Sequence, residues 1–247
     1  ITDPNNNKYY IINGMKKWIS NGTKADYFVT AVRTGGNGSR GISLIIIPKK
    51  GNESNIITSR ILTQGHHTSH TAMIIFRNVR VSKDMIIGVE NKGFSLIMYN
   101  FNQERFGIAC QAVQLSRIAL QESVKYAYKR KTFGKLLIQH QVIRHKIAEM
   151  GRQIMATYSF MEKLAFALQK DPLGQYDKSI PAQIALFKVQ ATKMLEYVSR
   201  ESSQILGGAS YVEGKIIDRI YRDVRAFAIY GGSEEIMLDV STRLSKL

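Results

Sequence analysis

The stretch that decides the fold is residues 79–120, VRVSKDMIIGVENKGFSLIMYNFNQERFGIACQAVQLSRIAL. It opens on Val79-Arg80-Val81, an alternating run of strand type, and then passes Gly88. From Phe94 onward the period changes: Phe101, Ile108, Ala112, Leu115 and Ala119 fall on one helical stripe. Two regimes therefore meet near residue 88. On the N-terminal side, Tyr9-Tyr10-Ile11-Ile12, Tyr27 to Val32, Ile42 to Ile47 and Ala72 to Phe76 read as strands. Asn13-Gly14 and Asn21-Gly22 offer the positive-φ residues of tight hairpin turns. Short spacing between turn signals predicts an antiparallel β-domain over residues 1–88, incomplete at its N-terminus.

On the C-terminal side, three further helices are predicted. The second carries Ile143, Ile147, Met150, Ile154, Tyr158, Met161 and Leu168 at steps of helical spacing. Asp171-Pro172-Leu173-Gly174 breaks it, and Pro181 suits the first turn of the third. That helix presents Ile184, Phe187, Ala191, Met194, Val198 and Ile205 and stops at Gly207-Gly208. The fourth carries Ile217, Ile220, Val224 and Phe227 and ends at Gly231-Gly232. Long amphipathic helices with short connections make an antiparallel four-helix bundle over residues 89–247. The fold class is α+β, and most of these apolar residues are core.

Composition narrows the function. Apolar residues make up 44% and charged residues 22% of the 247, which is globular rather than disordered or fibrous. No apolar run approaches the roughly 18 residues of a membrane span. One cysteine, Cys110, rules out an intrachain disulfide. Lys and Arg number 35 against 19 Asp and Glu, a net charge of +16, which suits a polyanionic partner such as nucleic acid, phospholipid or a phosphorylated cofactor. A nucleic-acid reading expects cations on one face with interleaved aromatics, whereas here Lys and Arg are scattered along the chain. The chain begins at Ile1 without a preceding Met and so reads as a fragment.

Some residues depart from a plain core pattern. Glu104 lies three residues after Phe101 and four before Ile108, which puts a carboxylate in the apolar stripe. A buried carboxylate with a raised pKa is a candidate general base; the alternative is a Glu paired with Arg105 or at the bundle edge. Lys129-Arg130-Lys131-Thr132-Phe133-Gly134-Lys135 is either a phosphate-holding cluster or a solvated turn complementing a helix dipole. The pairs Gly207-Gly208 and Gly231-Gly232 either admit a ligand to backbone amides or simply stop helices. Neither the basic cluster nor these glycine pairs form a GxGxxG or Walker loop, and no GxSxG stands in the chain. His66, His67 and His70 sit in a Gly/Ser/Thr loop without carboxylate or thiolate at ligand spacing, so no metal site is expected.

Four segments together resemble the acyl-CoA dehydrogenase family. Asn13 to Gly22 is similar to its N-G-x-K-x-W-I-T/S-N-G segment, and Arg130 to Lys135 to its R-x-x-F-G-K turn, with Gln141 at the family interval. Gln204 to Gly208 resembles Q-x-x-G-G, and Ile229 to Ile236 the closing I-Y-x-G-T/S-x-E/Q-I. The segments come in family order and cover nearly the whole chain. The resemblance implies an acyl-CoA dehydrogenase fold lacking its N-terminal helical domain, and a flavoenzyme that oxidises acyl-CoA thioesters to trans-2-enoyl-CoA. It implies FAD between the β-domain and the bundle, extended across the interface of a homodimer or homotetramer. By position, Trp18, Ile19 and Ser20 would flank the flavin ring. Arg130, Phe133, Gln141 and the segment Gln204, Ile205, Leu206, Gly207, Gly208 would reach the partner subunit's FAD. Ser233, Glu234 and Glu235 would hold its phosphate or adenine part.

The catalytic base of many family members is a Glu at the position held here by Gly231. A subgroup of long-chain and isovaleryl type carries it instead on the first bundle helix, just before an Arg. Gln103-Glu104-Arg105 matches that arrangement, so spacing and resemblance meet on Glu104 as base. Gly231 and Gly232 would face the thioester, and Asn102 and Arg105 the CoA; Asn102 stands where Asp is usual. Electrons would pass to an electron-transfer flavoprotein, or to oxygen if the protein is an acyl-CoA oxidase. An inactive truncated member is the remaining alternative. Ser245-Lys246-Leu247 matches the peroxisomal address, with the mitochondrial matrix or cytoplasm as alternatives.

Overall fold

The computed structural model describes residues 2–4, 6–172 and 176–245, in two compact units, residues 1–100 and 101–247. In the first unit β1 (Tyr9–Ile19), β2 (Tyr27–Arg33), β3 (Ile42–Pro48), β4 (Ile56–Arg60), β5 (Ala72–Ser82) and β6 (Ile86–Ile87) form two antiparallel sheets, ordered β1-β5-β4 and β2-β3-β6. Side chains of a strand alternate between faces, and β3 shows this plainly: Ser43, Ile45 and Ile47 are buried while their neighbours are half-buried. Ile45, Ile47, Phe28, Ile74, Phe76, Val79 and Val81 build the core, with Phe28 edge-on to Phe76 at 6.0 Å between ring centroids.

Asn13-Gly14 is not a hairpin turn. It lies inside β1 as a bulge, where the register against β5 shifts between Ile12 and Gly14. The Asn13 side chain explains this: its amide donates to Asn78 Oδ1 at 3.0 Å, and its Oδ1 accepts the Asn78 N–H at 2.8 Å. The two Asn thus tie opposite strands together. Asn21-Gly22 does follow the end of β1, but β1 and β2 lie in different sheets, so it carries the chain between sheets and is no hairpin turn either. A Cβ on Gly22 would stand 2.8 Å from Ala72 Cβ, so glycine is required for that close approach.

In the second unit α1 (Gly93–Ala127, which begins in the first), α2 (Gln141–Lys170), α3 (Ile180–Leu206) and α4 (Ile216–Ile229) are the four expected helices. A short hairpin, β7 (Lys131–Thr132) with β8 (Lys135–Leu136), links α1 to α2. A further helix, α5 (Glu234–Leu244), follows the Gly231-Gly232 turn, with Ser233 as its N-cap. At eleven residues it gives a shorter stripe than the other four helices. Helix α3 is the most enclosed element and packs against α2, α4 and α5. Pro181 sits in its first turn, as expected. Of the tail read as an address, Lys246 and Leu247 lie outside the described residues, as do Leu173 and Gly174 of the break.

Candidate active site

Several long-range bonds of the second unit converge on one turn. Helix α4 ends at Tyr230, whose N–H still reaches Ala226, and the chain then passes through Gly231 and Gly232 at φ +70° and +112°. Only glycine adopts such values without strain. From α1, Arg105 Nε donates to Gly231 O at 2.8 Å, and the same guanidinium donates to Asn102 Oδ1 at 3.3 Å. From α3, Lys188 Nζ donates to Gly232 O at 2.8 Å and to Ala228 O at 3.2 Å. One turn further along α3, Thr192 Oγ1 donates to Glu234 Oε1 at 2.8 Å. A Cβ on Gly231 would stand 2.7 Å from Ile108 Cδ1, so α1 presses directly on the turn.

The expectation for Glu104 needs correction on one point. The residue that α1 buries is Arg105, 8% exposed, while Glu104 is exposed. The spacing was degenerate: Glu104 is three after Phe101 and four before Ile108, whereas Arg105 is four after and three before. Phe101 is itself exposed, at 36%, so the apolar stripe starts at Ile108 and places no burden on Glu104. Burial pulls the Arg105 pKa down, and the negative charge of Glu104 works in the opposite direction.

Lys188 was not singled out from sequence. It is 0% exposed, and burial lowers its pKa from 10.5 to about 8, with Glu234 opposing that shift. A signal for it existed: Lys188 is four residues after Ile184 and three before Ala191, inside a stripe that is otherwise apolar.

The remaining candidates divide by exposure. Trp18 is 64% exposed at φ +65°, beside a register shift in β1, with Lys17 Nζ 4.7 Å from its ring centroid. Phe133 is 96% exposed at φ +50° in the β7–β8 hairpin. A bulky residue at positive φ is an outlier, and such strain gathers at functional positions. Lys129, Arg130, Lys131 and Lys135 are all exposed on or beside that hairpin, and Gln141 is exposed at the start of α2. The hairpin is tied by Leu137 N–H to Arg130 O at 2.8 Å and by a Thr132–His140 contact of 3.0 Å. Gln204, Gly207 and Gly208 are exposed at the end of α3, and Leu206 is half-buried. Ile205, by contrast, is core at 4% exposure, so its side chain is not free to touch a ligand. Glu235 is exposed; its own N–H and the Ser233 hydroxyl hold its carboxyl below the ordinary range. Glu234 is committed to Thr192. His66, His67 and His70 lie in the loop between β4 and β5, with His70 Nδ1 3.3 Å from Thr23 Oγ1.

Comparison with known proteins bears on what this arrangement serves. Residues 2–79 match the family model described as the acyl-CoA dehydrogenase middle domain, and residues 91–244 match that of the C-terminal domain. The chain belongs to the acyl-CoA dehydrogenase family. It is 41% identical over 238 residues to the acyl-CoA dehydrogenase AFT10-1 of Alternaria alternata, covering 94% of this chain and 55% of that protein. It is 37% identical over 239 residues to the acyl-CoA dehydrogenase apdG of Emericella nidulans, covering 96% and 54%. Among solved structures, the butyryl-CoA dehydrogenase of Megasphaera elsdenii superposes with a TM-score of 0.89 at 31% identity, over 98% of this chain and 62% of that one. The chain thus spans little more than half the length of the curated acyl-CoA dehydrogenases it matches.

A flavin dinucleotide asks for cations at its pyrophosphate and for flat apolar surface at its rings. In the second unit, four exposed cations around the strained, exposed Phe133 fit the first requirement, and in the first unit, taken by itself, the strained, exposed Trp18 fits the second.

Proposed function

We propose that the protein, in its full-length form, oxidises an acyl-CoA thioester to the trans-2-enoyl-CoA with FAD as cofactor, in fatty-acid β-oxidation or related acyl-CoA catabolism. The observation that carries this reading is the 2.8 Å bond from Arg105 to Gly231 O. It joins the Asn102–Arg105 segment of α1 to the closing glycine turn, two segments far apart in sequence that the reading assigns to one substrate.

A thioester α-proton is weakly acidic, so the carbonyl must be polarised while a base removes the proton. In this reading the backbone N–H of Gly231 donates to the thioester oxygen. Gly231 carries no side chain, which leaves the α-carbon open to a carboxylate from α1. Glu104, adjacent in sequence to the Arg105 that grips the turn, takes the proton. When bound, FAD would supply an acceptor for the β-hydrogen and its electron pair. Asn102 faces the CoA; Arg105, expected beside the CoA, is instead buried and holds the turn, and Arg130 with its neighbouring lysines would neutralise the cofactor's phosphates. The acceptor of the electrons is an electron-transfer flavoprotein or oxygen.

The experiment is anaerobic mixing of the full-length, FAD-loaded protein with acyl-CoA thioesters of graded length and branching. The flavin should bleach with at least one of them. A flavin that stays oxidised across the whole panel would overturn the reading.

A further inference from the structure

Lys188 is the group that the chemistry above leaves unused. A fully buried lysine is an unfavourable residue unless its N–H groups are occupied, and here two of them go to backbone carbonyls, Gly232 O at 2.8 Å and Ala228 O at 3.2 Å. A methionine would fill similar space without the desolvation cost, though it would leave those carbonyls unpartnered. The carbonyls bracket the turn: Ala228 belongs to the last turn of α4, and Gly232 precedes the N-cap of α5.

The turn needs such a restraint. Two successive glycines at positive φ form the least self-determined kind of backbone, because each gives up more conformational freedom on folding than any other residue. Nothing in their own side chains selects the observed conformation. Arg105 fixes the Gly231 carbonyl from α1, and Lys188 fixes the next carbonyl from α3. With trans peptides, pinning these two carbonyls sets the planes of the Gly231–Gly232 and Gly232–Ser233 peptide units, and so the backbone that leads away from the Gly231 N–H. Thr192, one turn along α3, fastens Glu234 at the far side. The charges around Lys188 are Arg105 on α1, Arg225 on α4, and Glu234 and Glu235 on α5. They largely balance, so an ammonium can be held there as a fixed donor.

We propose that Lys188 is a positioning residue of the acyl-thioester site: from α3 it locks the Gly231–Gly232 turn in the conformation that presents backbone N–H to the thioester carbonyl. The role rests on the functional reading above. Lys188 itself touches the turn and not the substrate. Its loss should therefore slow the chemical step while leaving substrate affinity nearly unchanged, since sub-ångström placement of reacting groups governs rate far more than binding.

The test uses the full-length, FAD-loaded protein and its Lys188→Met variant, with three readings. Amide hydrogen exchange over residues 229–235, without substrate, should accelerate at least about tenfold, because local opening of the turn becomes easier. The thioester carbonyl stretch of bound enoyl-CoA should move to higher wavenumber, as polarisation weakens. The rate of flavin reduction should fall on the order of 10–100-fold with the acyl-CoA Kd changed by only a few-fold. Lys188→Gln, which keeps an N–H donor on a shorter arm, should lie between the two and takes over all three readings if Lys188→Met does not fold. Thr157→Val, which removes a buried hydroxyl of α2 that accepts from Gln190 at 3.2 Å, should lower stability without moving the carbonyl band, which separates positioning from general support. Wild-type exchange and an unmoved band in Lys188→Met or, in its place, Lys188→Gln would overturn the proposal. If no thioester bleaches even the wild type, the functional reading falls and takes the carbonyl role with it, while the exchange data still decide whether Lys188 restrains the turn.

Discussion

Two groups of cations in this molecule carry the same sign and do opposite work. Around the β7–β8 hairpin, Lys129, Arg130, Lys131 and Lys135 stand in solvent beside a Phe133 that is 96% exposed. At the Gly231–Gly232 turn, Arg105 and Lys188 are buried and spend their donors on the protein's own carbonyls. In the proposed reading the first group meets an anion from outside; the second bonds the protein's own backbone. Counting charge in a sequence merges the two, and only burial and bonding partners tell them apart.

Changes at the buried turn should have the largest effects. A non-glycine residue in the left-handed region costs about 1–2 kcal/mol, and an overpacked contact about 1–3 kcal/mol. Gly231→Ala meets both, through its φ of +70° and the Ile108 Cδ1 at 2.7 Å. Urea melts should show a combined loss of about 2–5 kcal/mol, partly recovered by Ile108→Val. The same contact obstructs a carboxylate transferred to this position: a Glu104→Gly, Gly231→Glu exchange should regain activity only when Ile108 is also shortened.

Next comes the titration of Lys188. Its folded pKa, about 8, lies below the ordinary 10.5, so between those values the folded state holds fewer protons than the unfolded state. Stability must therefore rise with pH through that window. The penalty for burying the ammonium is full below about pH 8 and gone above about pH 10.5, a span of roughly 3 kcal/mol. Melts of wild type and Lys188→Met across pH 7.5 to about 10.5 should diverge by up to that amount; parallel curves would mean that Lys188 is not buried as a cation.

The exposed hairpin should respond more weakly and differently. A charge-assisted bond is worth about 1.5–3 kcal/mol, so Arg130→Gln should weaken FAD binding roughly 10–100-fold in titrations and flatten its salt dependence. Protein stability should hardly change. Smallest of all is a solvent-exposed ion pair remote from both regions: removing Arg243, 76% exposed and paired with Asp239 at 2.7 Å, should shift stability by less than about 0.5 kcal/mol. A comparable loss at Arg243 and at the buried turn would break the distinction between the two kinds of cation.

How much of this was legible in the sequence follows from the kind of signal each feature leaves. Helices α1 to α4 announced themselves through apolar stripes, and β1, β2, β3 and β5 through β-branched and aromatic runs, whereas β4, β6, β7 and β8 are too short or too polar to do so. Asn13-Gly14 misled because a turn dipeptide is equally good at a bulge, and the deciding partner, Asn78, is remote in sequence. Glu104 and Arg105 satisfy the same stripe within one residue, and only the acceptor at Gly231, supplied from the end of α4, selects Arg105 for burial. Lys188 could be seen as a cation in an apolar stripe, but its purpose depends on carbonyls 40 and 44 residues away. Short-range periodicity gives elements; for Arg105 and Lys188 the partner that makes a cation worth burying is non-local.

The measurement that bears most directly on the account is the anaerobic rate of flavin reduction in full-length Glu104→Gln. The substitution keeps the shape of the side chain and removes the carboxylate. With Glu104 as base, the variant should bind FAD and acyl-CoA as the wild type does, while reduction slows on the order of 10²–10⁴-fold. Reduction at the wild-type rate would contradict the account, because the proton would then be leaving to a group other than the one that α1 carries beside the glycine turn.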